Sequence, residues 1–187
     1  MLLSCNEKSH NLYELSTYSK SGSLQCVIEI PAGTNKKYEI NTHTGEFEID
    51  QRNGKDRIIN FLGYPGNYGF IPSTYSNPAL GGDGDALDIL VISESVPTGT
   101  VLEVIPIGKL LLNDDGELDD KIVAIPANPL KRTITDTTFA SFKANQLEAL
   151  VFIESWFFSY DRSARITSKG WENEKKAIAL IDSLRVH

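Results

Sequence analysis

The order of apolar and polar residues divides the chain into a strand-rich part and a helical part. Between residue 24 and about residue 130, short apolar or alternating runs are separated by clusters of Gly, Pro, Asn and Asp, which is typical of β-strands joined by turns. The predicted strands are residues 24–30, 37–41, 46–49, 68–71, 89–92, 101–112 and 121–127. Many short strands with turns between them predict a closed or nearly closed barrel.

The pattern changes after about residue 135, where apolar residues recur at helical spacings. A first helix is predicted from Asp136 to about Tyr160, with Thr135 or Asp136 as its N-cap, and a second helix over residues 172–184. The stripe positions are Phe139, Phe142, Leu147, Leu150, Val151, Glu154 and Phe158 in the first helix, and Ile178, Ile181 and Leu184 in the second. The predicted fold is therefore α+β and mainly β, with two C-terminal helices packed outside a barrel.

Composition favours one folded domain. The chain has 187 residues, of which 41% are hydrophobic, and no apolar run approaches the roughly 20 residues that span a bilayer. Residues 1–23, rich in Ser, Asn and Lys, are predicted to form a flexible N-terminal arm, and residues 24–187 a single domain.

The 25 acidic and 18 basic residues give a net charge of −7. This charge argues against a nucleic-acid partner, because phosphates require a basic surface.

The two cysteines bear on the cellular compartment. Cys26 lies in an apolar run and is expected to be a buried thiol, and two cysteines are too few for a disulfide scaffold. Cys5 follows Leu2, Leu3 and Ser4, a pattern that resembles the end of a bacterial lipoprotein signal, although only four residues precede it. We expect a cytoplasmic location, with an exported lipoprotein as the alternative if these residues are the remnant of a longer signal peptide.

Carboxylates carry the candidate chemistry. Asp83, Asp85 and Asp88 stand directly before a predicted strand, and Gly84 between them permits a tight turn. Carboxylates about 4 Å apart repel by roughly 4 kcal/mol per pair at an effective dielectric constant near 20, so they need solvent or cations around them. With only three histidines, scattered along the chain, oxygen ligands favour Mg²⁺ or Mn²⁺. On its own, such a turn is more often a solvated loop than a metal site.

A second acidic group lies between two predicted strands and comprises Asp114, Asp115, Glu117, Asp119 and Asp120. Alone, it is typical of a polar hairpin. In a barrel, however, two strand ends can bring both acidic groups to the same mouth. The sequence lacks a G-x-x-x-x-G-K-[ST] phosphate loop, a G-x-S-x-G elbow and an H-E-x-x-H zinc motif. The hypothesis of a metal site therefore depends on the two acidic groups meeting.

Six segments, which follow one another along the chain in the same order as in the family, resemble family I soluble inorganic pyrophosphatase of the bacterial type over about residues 24–185. The most specific is D-G-D-A-L-D at residues 83–88, which is similar to the family's D-G-D-P-x-D signature. The others are V-I-E-I-P at 27–31, K-Y-E-I at 37–40, Y-P-G-N-Y-G-F-I at 64–71, the stretch 114–126, and G-W-E-N at 170–173. The resemblance implies a five-stranded OB-like barrel and Mg²⁺-dependent hydrolysis of inorganic diphosphate to two phosphates by a water molecule that bridges metal ions.

The resemblance also implies roles for particular side chains. Asp85 would be the general base, and Tyr64 would support the wall of the catalytic site. The metal ligands would be Glu29, Asp83, Asp88, Asp114 and Asp119, and the substrate-binding residues would be Lys37, Arg57, Tyr68, Lys121 and Tyr160. Mn²⁺ could replace Mg²⁺, whereas the larger Ca²⁺ would inhibit. The bacterial members suggest a homo-oligomer, namely a hexamer.

Three positions depart from the family pattern. Ala86 replaces a proline, which loosens the turn between the aspartates. The family's arginine follows an aspartate, and both Arg52 and Arg57 are candidates for it, with the spacing along the chain in favour of Arg57. Asp161 stands where the family often has a lysine, and Arg162 could substitute for that lysine.

Two alternative functions stay open at the level of sequence. A different metal-dependent phosphohydrolase would act on nucleotides or polyphosphate, and the sequence does not give the pocket size that separates these substrates. An OB-type module that binds oligonucleotides would share the fold without being an enzyme. The acidic composition and the lack of basic residues between aromatic ones speak against this module.

Overall fold

The computed structural model describes residues 11–186, and a barrel with helices packed outside it forms the centre of this part of the chain. The strands, β1 to β11 in chain order, are Leu24–Ile30, Tyr38–Ile40, Phe47–Ile49, Gln51–Arg52, Lys55–Asp56, Asn67–Phe70, Asp88–Val91, Val101–Asp114, Glu117–Leu118, Lys121–Pro126 and Ile166–Asn173. The helices, α1 to α3, are Phe139–Asn145, Leu147–Ser159 and Glu174–Ser183. The lipoprotein-like residues 2–5 lie outside the described residues.

Five strands close into a ring. Their hydrogen-bonded order is β1-β6-β7-β10-β8, and β8 pairs again with β1. All pairs are antiparallel except β7 with β10, which is parallel. The interior is filled by apolar side chains such as Ile30, Leu90 and Val123, and Cys26 is buried as predicted. The ring confirms the predicted α+β fold with a five-stranded OB-like barrel.

Strand β8 joins the barrel to the strand outside it. Residues 101–104 pair with β1, whereas residues 108–114 pair with β11. Strand β11 escaped the sequence prediction because its register shifts between Ser168 and Gly170, where φ is +87°. A shift of this kind interrupts the two-residue alternation by which a strand is recognised.

The first predicted helix is in fact two helices, α1 and α2. Gln146 leaves the helical conformation, with φ −134° and ψ 40°, and separates them. The N-cap of α1 is neither Thr135 nor Asp136 but Thr138, whose side chain accepts a hydrogen bond from the backbone N–H of Ser141. The cap lies two or three residues later than predicted and satisfies one of the free backbone N–H groups in the first turn of the shorter helix.

The break at Gln146 changes which face of α2 is buried. The predicted stripe included Leu147, Val151 and Phe158, and all three are exposed. The buried residues of α2 are Leu150, Ile153, Trp156 and Phe157. Leu150 is buried as predicted. The other three apolar positions were wrong because the stripe was drawn through one continuous helix, so its phase no longer applied after the break.

Helix α3 begins after Asn173, whose side chain accepts a hydrogen bond from the backbone N–H of Lys176. Ile181 is 0% exposed and packs against the barrel, whereas Ile178, predicted for the same face, is 40% exposed. Ala177 takes the buried position instead. Among residues 11–186, no helix has the length and apolar character needed to cross a membrane.

Residues 11–23, which were predicted to belong to a flexible arm, contact the barrel. The Thr17 hydroxyl is buried and donates to the Pro72 carbonyl at 3.0 Å. The ring of Tyr13 stacks on Phe70 with 4.2 Å between ring centroids. These contacts bring an aromatic side chain to the mouth of the barrel. The domain boundary at residue 24 stays a prediction.

The two isoleucines of α3 offer a matched test of this packing. We expect Ile181→Ala to lower the free energy of unfolding by about 3 kcal/mol, because it leaves a cavity between α3 and the barrel. Ile178→Ala makes the same change in helix propensity at an exposed position and should lower the free energy of unfolding by about 1 kcal/mol or less. Urea unfolding followed by circular dichroism measures both values. Equal losses for the two variants would contradict the assigned buried face.

Candidate active site

The two acidic groups meet at one mouth of the barrel. The loop that carries Asp83 and Asp85 leads into β7, and the hairpin that carries Asp114 and Asp119 connects β8, β9 and β10. The backbone N–H of Leu118 in this hairpin donates to the Gly81 carbonyl of the first loop at 2.7 Å. The two loops are therefore joined directly by a hydrogen bond between their backbones.

A cavity of about 420 Å³ lies at this mouth. All twelve residues selected from the sequence line it, namely Glu29, Lys37, Arg57, Tyr64, Tyr68, Asp83, Asp85, Asp88, Asp114, Asp119, Lys121 and Tyr160. Residues from strands, loops and the end of α2 thus converge on one space. Their individual roles stay predictions.

The cavity wall carries far more negative than positive charge. Nine carboxylates line it, namely Glu29, Glu39, Asp83, Asp85, Asp88, Asp114, Asp115, Glu117 and Asp119. Three cationic side chains, Lys37, Arg57 and Lys121, face them. Such an excess is unfavourable for a folded protein unless further cations share the site.

Lys121 is the buried cation at the centre of the cavity wall. It is 4% exposed, and its Nζ donates to Asp88 Oδ2 and to Asp119 Oδ1. The Tyr68 hydroxyl donates to the same Asp88 oxygen at 2.5 Å. Burial alone would lower the pKa of Lys121, but the two carboxylates outweigh burial and raise it. Lys121 therefore stays charged and holds the two acidic loops together.

Glu29 lies near the end of β1 and is buried beside the other carboxylates. Its Oε1 accepts a hydrogen bond from the backbone N–H of Ile40 at 3.1 Å. Burial raises the pKa of Glu29 to about 8, although this hydrogen bond opposes the shift. Without cations in the cavity, the folded state therefore favours the protonated form of Glu29 at neutral pH.

Asp85 and Asp114 face the cavity from the two acidic loops. The backbone N–H of Asp85 donates to Asp83 Oδ1 at 3.0 Å, which stabilises the turn between them. Partial burial and the neighbouring carboxylates of Asp83 and Asp88 raise the pKa of Asp85. Burial, followed by the charge of Asp115, likewise raises the pKa of Asp114.

The donor set fits a divalent cation such as Mg²⁺. The Oδ1 atom of Asp114 is buried and makes no hydrogen bond among the described residues, and an unpartnered carboxylate oxygen is a ligand for a hard cation. All the acidic side chains of the cavity offer oxygen atoms, which Mg²⁺ prefers. Across residues 11–186, no three acidic, histidine or cysteine side chains form a ready-made ligand group. Two of these carboxylates, Asp88 and Asp119, form ion pairs with Lys121.

The geometry distinguishes the two candidate arginines. Of the described residues, the cavity lining includes Arg57 but neither Arg52 nor Arg162. Arg57 Nη1 donates to Asp50 Oδ2 at 3.1 Å, and its Nη2 donates to Asp161 Oδ2 at 3.3 Å. Arg52 reaches Asp161 from the surface instead. The arginine favoured by spacing along the chain is therefore the one at the cavity.

Aromatic side chains form part of the cavity wall. Trp156 packs between Tyr64 and Tyr160, with ring centroids 4.6 and 4.9 Å away, and its Nε1 donates to the Leu62 carbonyl at 3.0 Å. Burial raises the pKa of Tyr160 to about 12 and that of Tyr64 still further. Both hydroxyls therefore stay protonated at neutral pH and can donate hydrogen bonds.

The cavity also contains residues that sequence reasoning missed. Tyr13 and Glu39 line it, together with Trp156 and Phe157. Glu39 follows Lys37 by two residues in the predicted strand 37–41, so the period of two would have placed both side chains on one face. Tyr13 carries no such signal, because its contact with the barrel joins distant parts of the chain.

Comparison with known proteins reveals extensive similarity. A family model described as inorganic pyrophosphatase matches residues 26–186. The inorganic pyrophosphatase of Aquifex pyrophilus is 35% identical over 167 residues, which cover 80% of this chain and 88% of that protein. The crystal structure of the Thermus thermophilus inorganic pyrophosphatase is similar with a TM-score of 0.78 and 28% identity, covering 93% of this chain and 96% of that one. The crystal structure of an inorganic pyrophosphatase from Neisseria gonorrhoeae is similar with a TM-score of 0.73 and 32% identity, covering 87% of this chain and 89% of that one.

The raised pKa of Glu29 leads to a prediction for the metal-free protein. An unfolded glutamate titrates near pH 4.5 and the folded one near pH 8, so folding takes up a proton between these values. Stability should therefore fall as the pH rises through this window. Glu29→Gln keeps the acceptor for Ile40 and removes the charge, so it should be more stable than the parent by about 4 kcal/mol at pH 8.

Urea unfolding at pH 5 and pH 8 in a chelating buffer measures the effect of Glu29→Gln. The advantage of the variant should fall to about 1 kcal/mol or less at pH 5, because this pH lies close to the pKa of the unfolded glutamate and folding then takes up little additional proton. Glu46→Gln, at an exposed position, serves as the control and should show no such pH dependence. An advantage of equal size at both pH values would contradict the assigned shift.

Proposed function

The chain belongs to the inorganic pyrophosphatase family, and we propose that it hydrolyses inorganic diphosphate to two phosphates with Mg²⁺ as its cofactor. The observation that carries this proposal is the cavity in which nine carboxylates surround three cationic side chains. A small, densely charged anion would be repelled by such a wall unless metal ions stood between them. Carboxylates for the metal and cations for the substrate are both available within one cavity of about 420 Å³.

In this proposal, the metal is held by the carboxylates of Glu29, Asp83, Asp88, Asp114 and Asp119. When bound, Mg²⁺ supplies positive charge to the phosphoryl oxygens and lowers the pKa of coordinated water. The excess of acidic side chains and the unpartnered oxygen of Asp114 support this set.

Substrate binding falls to the positive and hydroxyl-bearing side chains. Lys37, Arg57 and Lys121 attract the phosphoryl oxygens, and Tyr68 and Tyr160 add neutral donors. Tyr64 contributes to substrate binding indirectly, because it packs against the indole ring of Trp156, which also packs against Tyr160. These groups orient the diphosphate so that one phosphorus atom faces the acidic loops.

Asp85 is the general base in this proposal. It accepts a proton from the attacking water, the water oxygen forms a new bond to phosphorus, and the bond from that phosphorus to the bridging oxygen breaks. The raised pKa of Asp85 suits a group that must take up a proton. The departing phosphate carries negative charge, which Lys121 and Arg57 stabilise. No covalent intermediate with the protein is needed.

A cytoplasmic location and assembly into a homo-oligomer, a hexamer by resemblance to the bacterial members, are further parts of the proposal. Mn²⁺ as a substitute for Mg²⁺ and the absence of a nucleic-acid partner belong to it as well. The net charge of −7 supports the last point, because binding to nucleic-acid phosphates requires a basic surface.

Phosphate release from diphosphate tests the proposed reaction. The protein should release phosphate with Mg²⁺ and none in excess chelator, and Ca²⁺ added to the Mg²⁺ reaction should inhibit, because its looser coordination replaces the octahedral geometry of Mg²⁺. ATP and tripolyphosphate are the competing substrates. Faster release from either one than from diphosphate would favour a nucleotide or polyphosphate hydrolase, and faster turnover with Ca²⁺ than with Mg²⁺ would contradict the mechanism.

Substitution of the proposed base provides a second test. Asp85→Asn should retain the fold and lower kcat by about 10²- to 10⁴-fold, because the amide cannot accept the proton. Asp182→Asn removes a carboxylate on α3 and serves as the control, with kcat expected to be unchanged. Phosphate release at saturating diphosphate and thermal unfolding are measured for both. Near-normal turnover of Asp85→Asn would exclude Asp85 as the base.

A further inference from the structure

Asp161 connects the cavity to the protein surface and has no role in the mechanism above. It follows α2, and its side chain is 12% exposed. Its Oδ1 accepts hydrogen bonds from the backbone N–H and the hydroxyl of Ser163, at 3.0 and 2.5 Å. Its Oδ2 accepts from Arg52 Nη1 at 2.9 Å and from Arg57 Nη2 at 3.3 Å. Both carboxylate oxygens are therefore held by donors.

These donors keep Asp161 ionised. Burial alone would raise the pKa of Asp161, but the hydrogen bonds from Ser163 and the charge of Arg52 outweigh burial and hold the pKa well below its usual range. A carboxylate that is fixed on both oxygens and charged throughout the neutral range is suited to orient a neighbouring guanidinium.

The guanidinium of Arg57 is held at two separate nitrogens. Asp50, at the end of β3, accepts from Nη1 at 3.1 Å, and Asp161 accepts from Nη2. Asp50 precedes Arg57 by seven residues, whereas Asp161 lies 104 residues after it. A guanidinium has five N–H donors, so this grip leaves donors of the same group for an anion in the cavity.

We propose that Asp161 is a positioning residue that, together with Asp50, orients the guanidinium of Arg57 towards the cavity before diphosphate binds. The inference rests on the proposed role of Arg57 in phosphate binding. A donor that is already oriented loses less conformational freedom when its ligand arrives. A carboxylate beside the arginine also weakens its attraction for an anion, and Arg52, on the same oxygen of Asp161, offsets part of that charge.

A purely structural role for Asp161 would lead to different kinetic effects when the residue is replaced. Arg52 belongs to β4, and with β5 this strand forms a short hairpin, which Asp161 ties to the loop after α2. If this tie were the whole function of Asp161, its loss would reduce the fraction of folded enzyme. Apparent kcat would fall while KM stayed constant, and loss of Arg52 would have the same effect.

The experiment measures KM and kcat for diphosphate with Mg²⁺. We expect Asp161→Ala to raise KM about tenfold and to change kcat less than about threefold. Without Asp161, the side chain of Arg57 would become ordered only when diphosphate binds, and this ordering would reduce the free energy of binding. Asp161→Asn retains an acceptor oxygen and should fall between the parent and Asp161→Ala. Arg52→Ala leaves the contact between Arg57 and Asp161 intact and should stay within about twofold of the parent.

A double-mutant cycle isolates the connection to Arg57. Arg57→Ala should raise KM strongly, and adding Asp161→Ala to it should change KM by less than about twofold, because nothing is left to orient. Equal effects of Asp161→Ala in both backgrounds, a lower KM in Asp161→Ala, or an Arg52→Ala variant as impaired as Asp161→Ala would overturn the inference. An unchanged KM in Arg57→Ala would instead refute the proposed role of Arg57. Thermal unfolding confirms that each variant is folded.

Discussion

The contact of one buried lysine with two aspartates is the interaction on which the rest of the cavity depends. Asp88 is the first residue of β7 and Lys121 the first residue of β10, and these strands are the parallel pair of the ring. Parallel pairing places both strand starts at the same mouth. Asp119 lies in the hairpin just before β10, and its Oδ1 accepts a hydrogen bond from Lys121. The positive charge of Lys121 therefore lets two acidic loops approach each other that would otherwise repel.

Much of this arrangement could be predicted from the sequence. The strands around Ile30, Leu90 and Val123 show the apolar runs that barrels require, and the family motifs placed every selected side chain in segments that now surround one cavity. The order of the motifs predicts where their side chains lie in the fold, because each motif contains the beginning or the end of a strand. A short acidic motif beside a strand carries both its chemistry and its position in the fold.

Other features depend on contacts that leave no local signal. Gln146 ends α1 without a glycine or proline to mark the break, and the buried face of α2 shifts as a result. Asp161 differs from the family's usual lysine, but its partner Arg52 lies more than a hundred residues away in a hairpin. Only the folded structure brings these two together. Sequence could identify the unusual aspartate, whereas its meaning required knowledge of the side chains around it.

The stacking of Tyr13 on Phe70 has a consequence for how the enzyme is handled. Residues 11–23 contribute none of the five strands of the ring, yet they supply one aromatic side chain to its catalytic mouth. Proteolytic trimming of this segment would leave the ring's backbone hydrogen bonds in place while opening one side of the cavity. Loss of residues 11–23 would therefore lower catalytic turnover while the ring of strands stayed closed.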